Sequence, residues 1–296
     1  MDISVSVLIP VYNEAHSIGS LVKEIKTLYP AYEVIVINDG STDASASIAE
    51  AAGGMVLNHP YNMGNGASVK TGIRVASGDV LVTMDGDGQH DPKDIAKLIS
   101  YIPDYDMVVG ERSLSGQASL KRAIGNTFYN SFASYVAKFK VKDLTSGFRA
   151  VKRKVVTEYL PLFPNTYSYP TTLTLAVLRG GYSMKYSPIH VRTRKNGKSG
   201  IHIVKDGTRF LMIIIKICTL YSPLRVFLPV SFGMFLLGAV NYIFTYVSSS
   251  RFTNMSALLF VASLLIFMMG FISEQVCQMN YDKTGHYRLM GQSKIL

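Results

Sequence analysis

From Val226 to Val247 the chain reads VFLPVSFGMFLLGAVNYIFTYV, and from Met255 to Ser273 it reads MSALLFVASLLIFMMGFIS, with no charged side chain in either stretch. A helix of about 20 apolar residues is the length that crosses a bilayer. The alternative, two core helices of a soluble domain, would need neighbours covering both helices on every side, and the stretches come as a consecutive pair close to the C-terminus. The sequence therefore predicts a membrane hairpin over 223–278, with spans near 226–247 and 255–275.

The short connection SSSRFTN contains only Arg251, whereas Lys205, Arg209, Lys216 and Arg225 precede the pair and Lys283, Arg288 and Lys294 follow it. The positive-inside rule then keeps both ends in the cytoplasm, leaving 279–296 as a cytoplasmic tail. Just upstream, GTRFLMIIIKICTLYSP is apolar but broken by Arg209 and Lys216 and closed by Pro223. Residues 201–222 are expected to form an amphipathic helix lying in the membrane surface. The N-terminus, MDISVSVLIP, has no basic segment leading into an apolar one, so a folded domain on the cytosolic side is expected to begin there. Cys218 and Cys277 match no metal or redox spacing and suggest a reducing compartment.

Residues 1–200 are of another kind. Short β-rich runs (ISVSVLI, EVIVIND, MVLN, DVLVTMD, DMVVG) alternate with helical stretches (AHSIGSLVKEIKTL, ASASIAEAA, about 66–76, and one after Asp91-Pro92). This alternation predicts an α/β domain with a mostly parallel sheet covered on both faces, and such sheets bind ligands at the carboxyl ends of their strands. Three polar clusters occupy those ends: Pro10, Tyr12, Asn13 and Glu14; Asp39 through Asp43; and Asp85 with Asp87.

Asp39 follows an apolar strand directly and is placed to accept hydrogen bonds from ring N–H groups or hydroxyls. Ser41 or Thr42 could instead be only a helix N-cap, and Asp43 suits a first helical turn. Gly64 and Gly66 can admit a phosphate to backbone N–H groups, although a lone G-x-G is weak evidence and plain helix entry explains them better. Asp85-Gly-Asp87-Gly brings two repelling carboxylates into a turn, which suits a hard cation. Mg²⁺ takes one or two carboxylates plus waters and phosphates, and Gln89 or His90 could complete the set.

These motifs carry a resemblance. SVLIPVYNE, VINDGSTD, the segment at Asn62 and above all MDGDGQHDP resemble the inverting glycosyltransferases of family 2, which have a GT-A (Rossmann-like) fold and nucleotide-sugar donors. GERS at 110–113 and DLTSGFRA at 143–150 are similar to the branch that glycosylates dolichyl or undecaprenyl phosphate. The resemblance spans roughly residues 5–200. It implies that Asp39 contacts the donor's base or ribose, with Pro10, Tyr12 and Glu14 lining the same pocket. It further implies that Asp85 and Asp87 hold Mg²⁺ or Mn²⁺ on the diphosphate, with Gln89 as an additional ligand. Arg112, Arg122 and Arg194 would bind the acceptor phosphate, with Arg149 and Lys195 as nearby alternatives. Asp143 resembles a catalytic or positioning carboxylate. A lipid phosphate is largely dianionic at neutral pH and already nucleophilic, so Asp143 is expected to orient an arginine or contact the sugar before it serves as a base. RTRKNGKSG, 192–200, would be a loop at the membrane-facing edge of the site, or a solvated linker.

The formal charge of +10 favours anionic partners. Nucleic acid is not expected, because the basic residues lack interleaved aromatics. Processive polysaccharide synthases share the fold but carry a Q-x-x-R-W motif, and this chain has no tryptophan. An inactive membrane scaffold is the remaining alternative, against which the intact D-x-D stands. The expectation is thus an integral protein of a bacterial inner membrane with a cytoplasmic catalytic domain. It would transfer one hexose from a UDP- or GDP-sugar to a polyprenyl phosphate and oligomerise through its membrane helices.

Overall fold

The computed structural model describes residues 3–112, 127, 130–135, 137–165, 168–192 and 222–292. Contacts divide the chain into two compact units, Met1–Asp206 and Gly207–Leu296.

In the first unit the strands are β1 (Val5–Val11), β2 (Glu33–Asn38), β3 (Met55–Asn58), β4 (Val80–Thr83), β5 (Met107–Arg112), β6 (Arg149–Lys152) and β7 (Met184–Ile189). The helices are α1 (Ile18–Leu28), α2 (Ser45–Ala51), α3 (Asn65–Val75), α4 (Asp94–Ile99), α5 (Arg153–Tyr159) and α6 (Tyr169–Arg179). They build one seven-stranded sheet in the order β3-β2-β1-β4-β6-β5-β7. Every pairing is parallel except those of β6, which runs antiparallel to both β4 and β5.

All seven residues of β1 are buried. Val7, Ile9 and Val11 join Val34 and Val36 in a core with Ile18, Leu21, Val22 and Ile25 of α1. The i, i+3, i+4, i+7 spacing of those α1 residues places them on one helical face. On the opposite face Leu8 and Ile37 meet α3 at Gly72, where an added Cβ would lie 2.9 Å from Ile37 Cδ1. Burial on both faces is why the central strands read as continuous apolar runs.

The second unit contains α7 (Leu224–Ser249) and α8 (Asn254–Gln292). Both are long and apolar enough to cross a membrane, and only 11% and 17% of their most apolar windows are buried within the protein. They form a hairpin suited to a membrane rather than the core of a soluble domain. Polar atoms inside it are paired: the hydroxyls of Ser231 and Ser263 each donate to the other residue's carbonyl at 2.9 Å. Such reciprocal bonds satisfy groups that hydrocarbon cannot. At the hairpin base, Glu274 accepts from the Ser222 hydroxyl at 3.1 Å and from the Leu224 N–H, the first of α7, at 3.2 Å. The segment expected to be a tail, 279–296, continues α8 as helix to Gln292. Of the expected interfacial helix, 201–222, only Ser222 falls within the described residues.

Candidate active site

The crevice is assembled from loops that leave the carboxyl ends of β1, β2 and β4 and from the loop that enters β6. The first two are tied together. Asn13, at φ 55°, accepts through its side-chain oxygen from Thr42 N–H at 2.8 Å, while its own N–H donates to the Ser41 hydroxyl at 3.0 Å. Glu14 N–H donates to the Ser45 hydroxyl at 2.9 Å, and Ala15 N–H donates to the Asp43 carboxylate at 3.1 Å. Ser41 and Thr42 therefore do not cap α2, whose N-cap position is Ala44; they brace the neighbouring loop instead. Asp43, two residues ahead of the helix, accepts from Ser45 N–H at 3.0 Å. Burial works to raise its pKa, but the bonds from Ser45 and Ala15 outweigh burial and hold it below the usual carboxylate value.

Asp39 is buried, and its carboxylate accepts from Met63 N–H, Gly64 N–H and His59 Nδ1 at 2.8–2.9 Å. In addition to any ligand contact, it therefore pins the 59–64 loop. Tyr12 is exposed on the rim, and Pro10 is buried within β1.

The β4 exit is closely fitted. Gly86 is required because a Cβ there would stand 2.8 Å from Val11 Cγ2, and Gly88 because its φ is +72°. The Ser17 hydroxyl, at the start of α1, donates to Gly86 O at 2.7 Å and binds this turn to the first loop. Asp87 accepts from Gln89 N–H at 3.1 Å. Burial raises the pKa of Asp85, with the guanidinium groups of Arg112 and Arg149 acting against that shift. At Gly147 an added Cβ would lie 2.8 Å from both Asp85 carboxylate oxygens, so the loop entering β6 presses its bare backbone against this carboxylate. Thr83 fixes that approach by donating its hydroxyl to Gly147 O at 2.7 Å.

Among the described residues no three His, Cys, Asp or Glu side chains form a metal cluster. Two carboxylates and the Gln89 amide on one turn nonetheless fit a hard cation that completes its shell with waters and phosphate oxygens. His90 does not belong to that half-buried edge. It is buried, stacks on Phe148 at 5.0 Å between ring centroids, and bridges to Val191. Burial pushes its pKa down to about 4 against the pull of Asp87, Asp143 and Asp94, so the ring is neutral at pH 7. Its Nδ1 has no hydrogen-bond partner among the described residues.

Arg112 and Asp143 form a fork. Nε donates to Oδ2 at 2.7 Å and Nη2 to Oδ1 at 2.9 Å, and Nη2 also donates to the Thr145 hydroxyl at 2.8 Å. Burial disfavours the guanidinium charge, but Asp143 more than offsets this and holds the Arg112 pKa above its ordinary value. Asp143 thus orients an arginine. Arg149 is different from its expected role: it is fully buried, donating to Pro170 O at 2.9 Å, Thr174 Oγ1 at 3.3 Å and Ser146 O. A guanidinium enclosed by neutral acceptors does not meet a lipid phosphate. It serves as a fixed cation behind Asp85, beside the buried Tyr169, whose pKa burial and then Asp85 push up to about 12. Arg122, Arg194 and Lys195 lie outside the described residues.

Gly147, Thr83 and Tyr169 were not singled out by sequence reasoning, and Arg192 was expected only as the start of the 192–200 loop. Arg192 donates to Glu24 at 2.9 and 3.0 Å and pairs with Asp91 at 2.9 Å, while its N–H donates to Gln89 O at 2.7 Å. The only sequence signal was the closeness of Gly147 to Asp143 and Arg149 in SGFRA.

With this geometry in view, the comparisons with known proteins are specific. The model of glycosyl transferase family 2 matches residues 6–160, and that of the GtrB C-terminal hairpin matches residues 222–279. An uncharacterized protein of Methanocaldococcus jannaschii is 30% identical over 221 residues, which cover 71% of this chain and 90% of that protein. An undecaprenyl-phosphate 4-deoxy-4-formamido-L-arabinose transferase of Proteus mirabilis is 30% identical over 56% of this chain, a match that spans 57% of its own length. The structure of glucosyl-3-phosphoglycerate synthase from Mycobacterium tuberculosis, in complex with Mn²⁺, UDP-glucose and phosphoglyceric acid, superposes with a TM-score of 0.59. It shares 21% identity over 72% of this chain and 77% of that one, so the likeness is one of fold.

Proposed function

The chain belongs to glycosyl transferase family 2, and from that membership we propose that it moves one hexose from a nucleotide diphosphate sugar to a polyprenyl phosphate at the cytoplasmic face of a membrane. The product is a polyprenyl monophosphate sugar with the anomeric configuration inverted.

The observation that carries this reading is the convergence, at one crevice, of the Asp85–Asp87 turn with an arginine held in a carboxylate fork. Asp85, Asp87 and Gln89 would hold Mg²⁺ or Mn²⁺, which when bound neutralises the donor diphosphate and the charge left on it as the glycosidic bond breaks. Gly147 and Thr83 keep the Asp85 carboxylate in one position. Arg112 presents a cation to the acceptor phosphate, and the fork with Asp143 spends Nε and Nη2, so Nη1 is the nitrogen it does not use. A dianionic phosphate needs orientation for in-line attack more than it needs a base. The hairpin keeps the chain at the surface where such an acceptor resides, and the relative from Proteus mirabilis is named for an undecaprenyl-phosphate acceptor.

The test is transfer of radiolabelled sugar from a panel of UDP- and GDP-sugars into the organic phase, with undecaprenyl phosphate, Mg²⁺ or Mn²⁺ and an EDTA control. Metal-dependent label in lipid from one donor is the expected result; none from any donor with folded protein would overturn the proposal.

A further inference from the structure

The Asp39 carboxylate is nearly filled by the protein itself. Oδ1 accepts from Met63 N–H at 2.9 Å and lies 2.8 Å from His59 Nδ1; Oδ2 accepts from Gly64 N–H at 2.8 Å. An ionised carboxylate offers about four acceptor sites, so Oδ1 is saturated and Oδ2 retains one. Because its neighbour on that side is an acceptor, His59 Nδ1 carries a proton; on the other side Nε2 lies 3.0 Å from Thr71 Oγ1. His59 is thus fixed between Asp39 and α3.

The surroundings suit a flat ring. Asp39 N–H donates to Val11 O at 2.8 Å, next to Tyr12, and the backbone of Tyr61 packs against Gly40, where a Cβ would lie 2.6 Å from Tyr61 C. Tyr12 and Tyr61 are 44% and 64% exposed, so the backbone segments beside the carboxylate with one acceptor site remaining each carry an exposed aromatic residue. A planar heterocycle with a single ring N–H matches that site.

Resting on the nucleotide-sugar reading above, we propose that this pocket selects uracil over guanine and that His59 determines the selection by occupying the second acceptor site. Uracil offers one donor, N3–H, to Oδ2, whereas cytosine and adenine set an unprotonated ring nitrogen beside their amino group, and a carboxylate repels that lone pair. Guanine offers N1–H and an adjacent amino N–H side by side, which need one open site on each oxygen. With Oδ1 saturated, one guanine donor is left without a partner, and a desolvated, unpaired donor lowers affinity by about tenfold or more. His59 is a positioning residue: it acts through Asp39 and meets no reacting atom.

The experiment is calorimetric binding of UDP, GDP, CDP and ADP, each with Mn²⁺, to the full-length protein in detergent. UDP is expected to bind at least about tenfold more tightly than the others. His59→Ala, which frees Oδ1 and clears the space beside it, should shrink the UDP-to-GDP ratio about tenfold, whereas His59→Asn, which keeps an N–H donor, should preserve it. A loss of fold would weaken all four nucleotides alike and leave no ratio to change. Equal or tighter binding of GDP, CDP or ADP by the unaltered protein would overturn the proposal, as would an unchanged ratio in His59→Ala. Selective UDP binding without sugar transfer to lipid would refute the acceptor reading alone. Transfer from a GDP-sugar would refute the base selection alone.

Discussion

Gly147 lies against Asp85 so closely that a Cβ at Gly147 would stand 2.8 Å from each carboxylate oxygen. The contact joins two segments 62 residues apart (147 − 85), and the Thr83 hydroxyl holds it in place. Gly147→Ala is therefore expected to displace Asp85 with little effect on the apolar core. A displacement near 1 Å at a catalytic group costs on the order of 10²-fold in rate. Lipid-linked product formation should fall by that factor while the circular dichroism spectrum and thermal midpoint stay close to those of the unaltered protein. Full activity in the variant would show that Asp85 need not be held there.

Asp143→Asn retains shape but removes the charge that faces Arg112. The guanidinium loses its two-point partner, and burial then disfavours its charge. Breaking a partly buried pair by altering one member leaves the other poorly compensated. Initial rates should drop about tenfold to a hundredfold, mainly through KM for the lipid phosphate. An unchanged KM with a collapse of kcat would instead favour a direct role for Asp143 in proton transfer.

Asp87→Asn is expected to abolish turnover while the protein remains folded and membrane-bound. EDTA should have the same effect on the unaltered enzyme, and added Mg²⁺ or Mn²⁺ should restore only the latter. Residual activity near the unaltered level, measured by extraction of labelled lipid, would remove Asp87 from the metal site.

His90 predicts an acid weakness. Its folded pKa is near 4, against an unperturbed value of 6.5. Between those values the unfolded chain binds the extra proton and the native chain does not, so stability falls as pH drops from about 6.5 to about 4, by up to about 3 kcal/mol. Asp43, Asp91 and Asp106 have depressed pKa values and lose stability in the same direction, but they remain in a His90→Gln variant. The fall in thermal midpoint from pH 7 to pH 5, with EDTA present, should accordingly be smaller in His90→Gln than in the unaltered protein. Equal falls would contradict the neutral, buried ring.

The parts of this architecture that could be read from the sequence are those with strong local signals. Apolar runs such as EVIVIND and the i, i+3, i+4, i+7 pattern of α1 identified β1 to β5 and α1 to α4, and the uncharged stretches identified the hairpin. β6 left no such signal: RAVK is four residues long and begins with an arginine that is buried only because Pro170, Thr174 and Ser146 receive its donors. β7, MKYSPI, carries a lysine and a proline. Ser41 and Thr42 looked like caps because hydroxyls ahead of a helix usually are; that they brace Asn13 depends on a loop 28 and 29 residues distant in sequence. The reach of Gly147 toward Asp85 was invisible for the same reason. It depends on strand pairing, which local patterns do not encode.

The reversed direction of β6 has a consequence for the order in which the protein is made. Thr83, at the end of β4, pairs with Arg149, at the start of β6, so the exit of one strand and the entry of the other share an edge of the sheet. By the time the ribosome has translated Asp85 and Asp87, neither Asp143 nor Gly147 exists. The turn then borders a half-built sheet whose β4 edge is open. The crevice is complete only once the polypeptide has emerged past Thr174, whose hydroxyl receives Arg149, so the site assembles after most of the first unit has been made. The last parts of the site and the apolar hairpin are thus both made in the second half of synthesis.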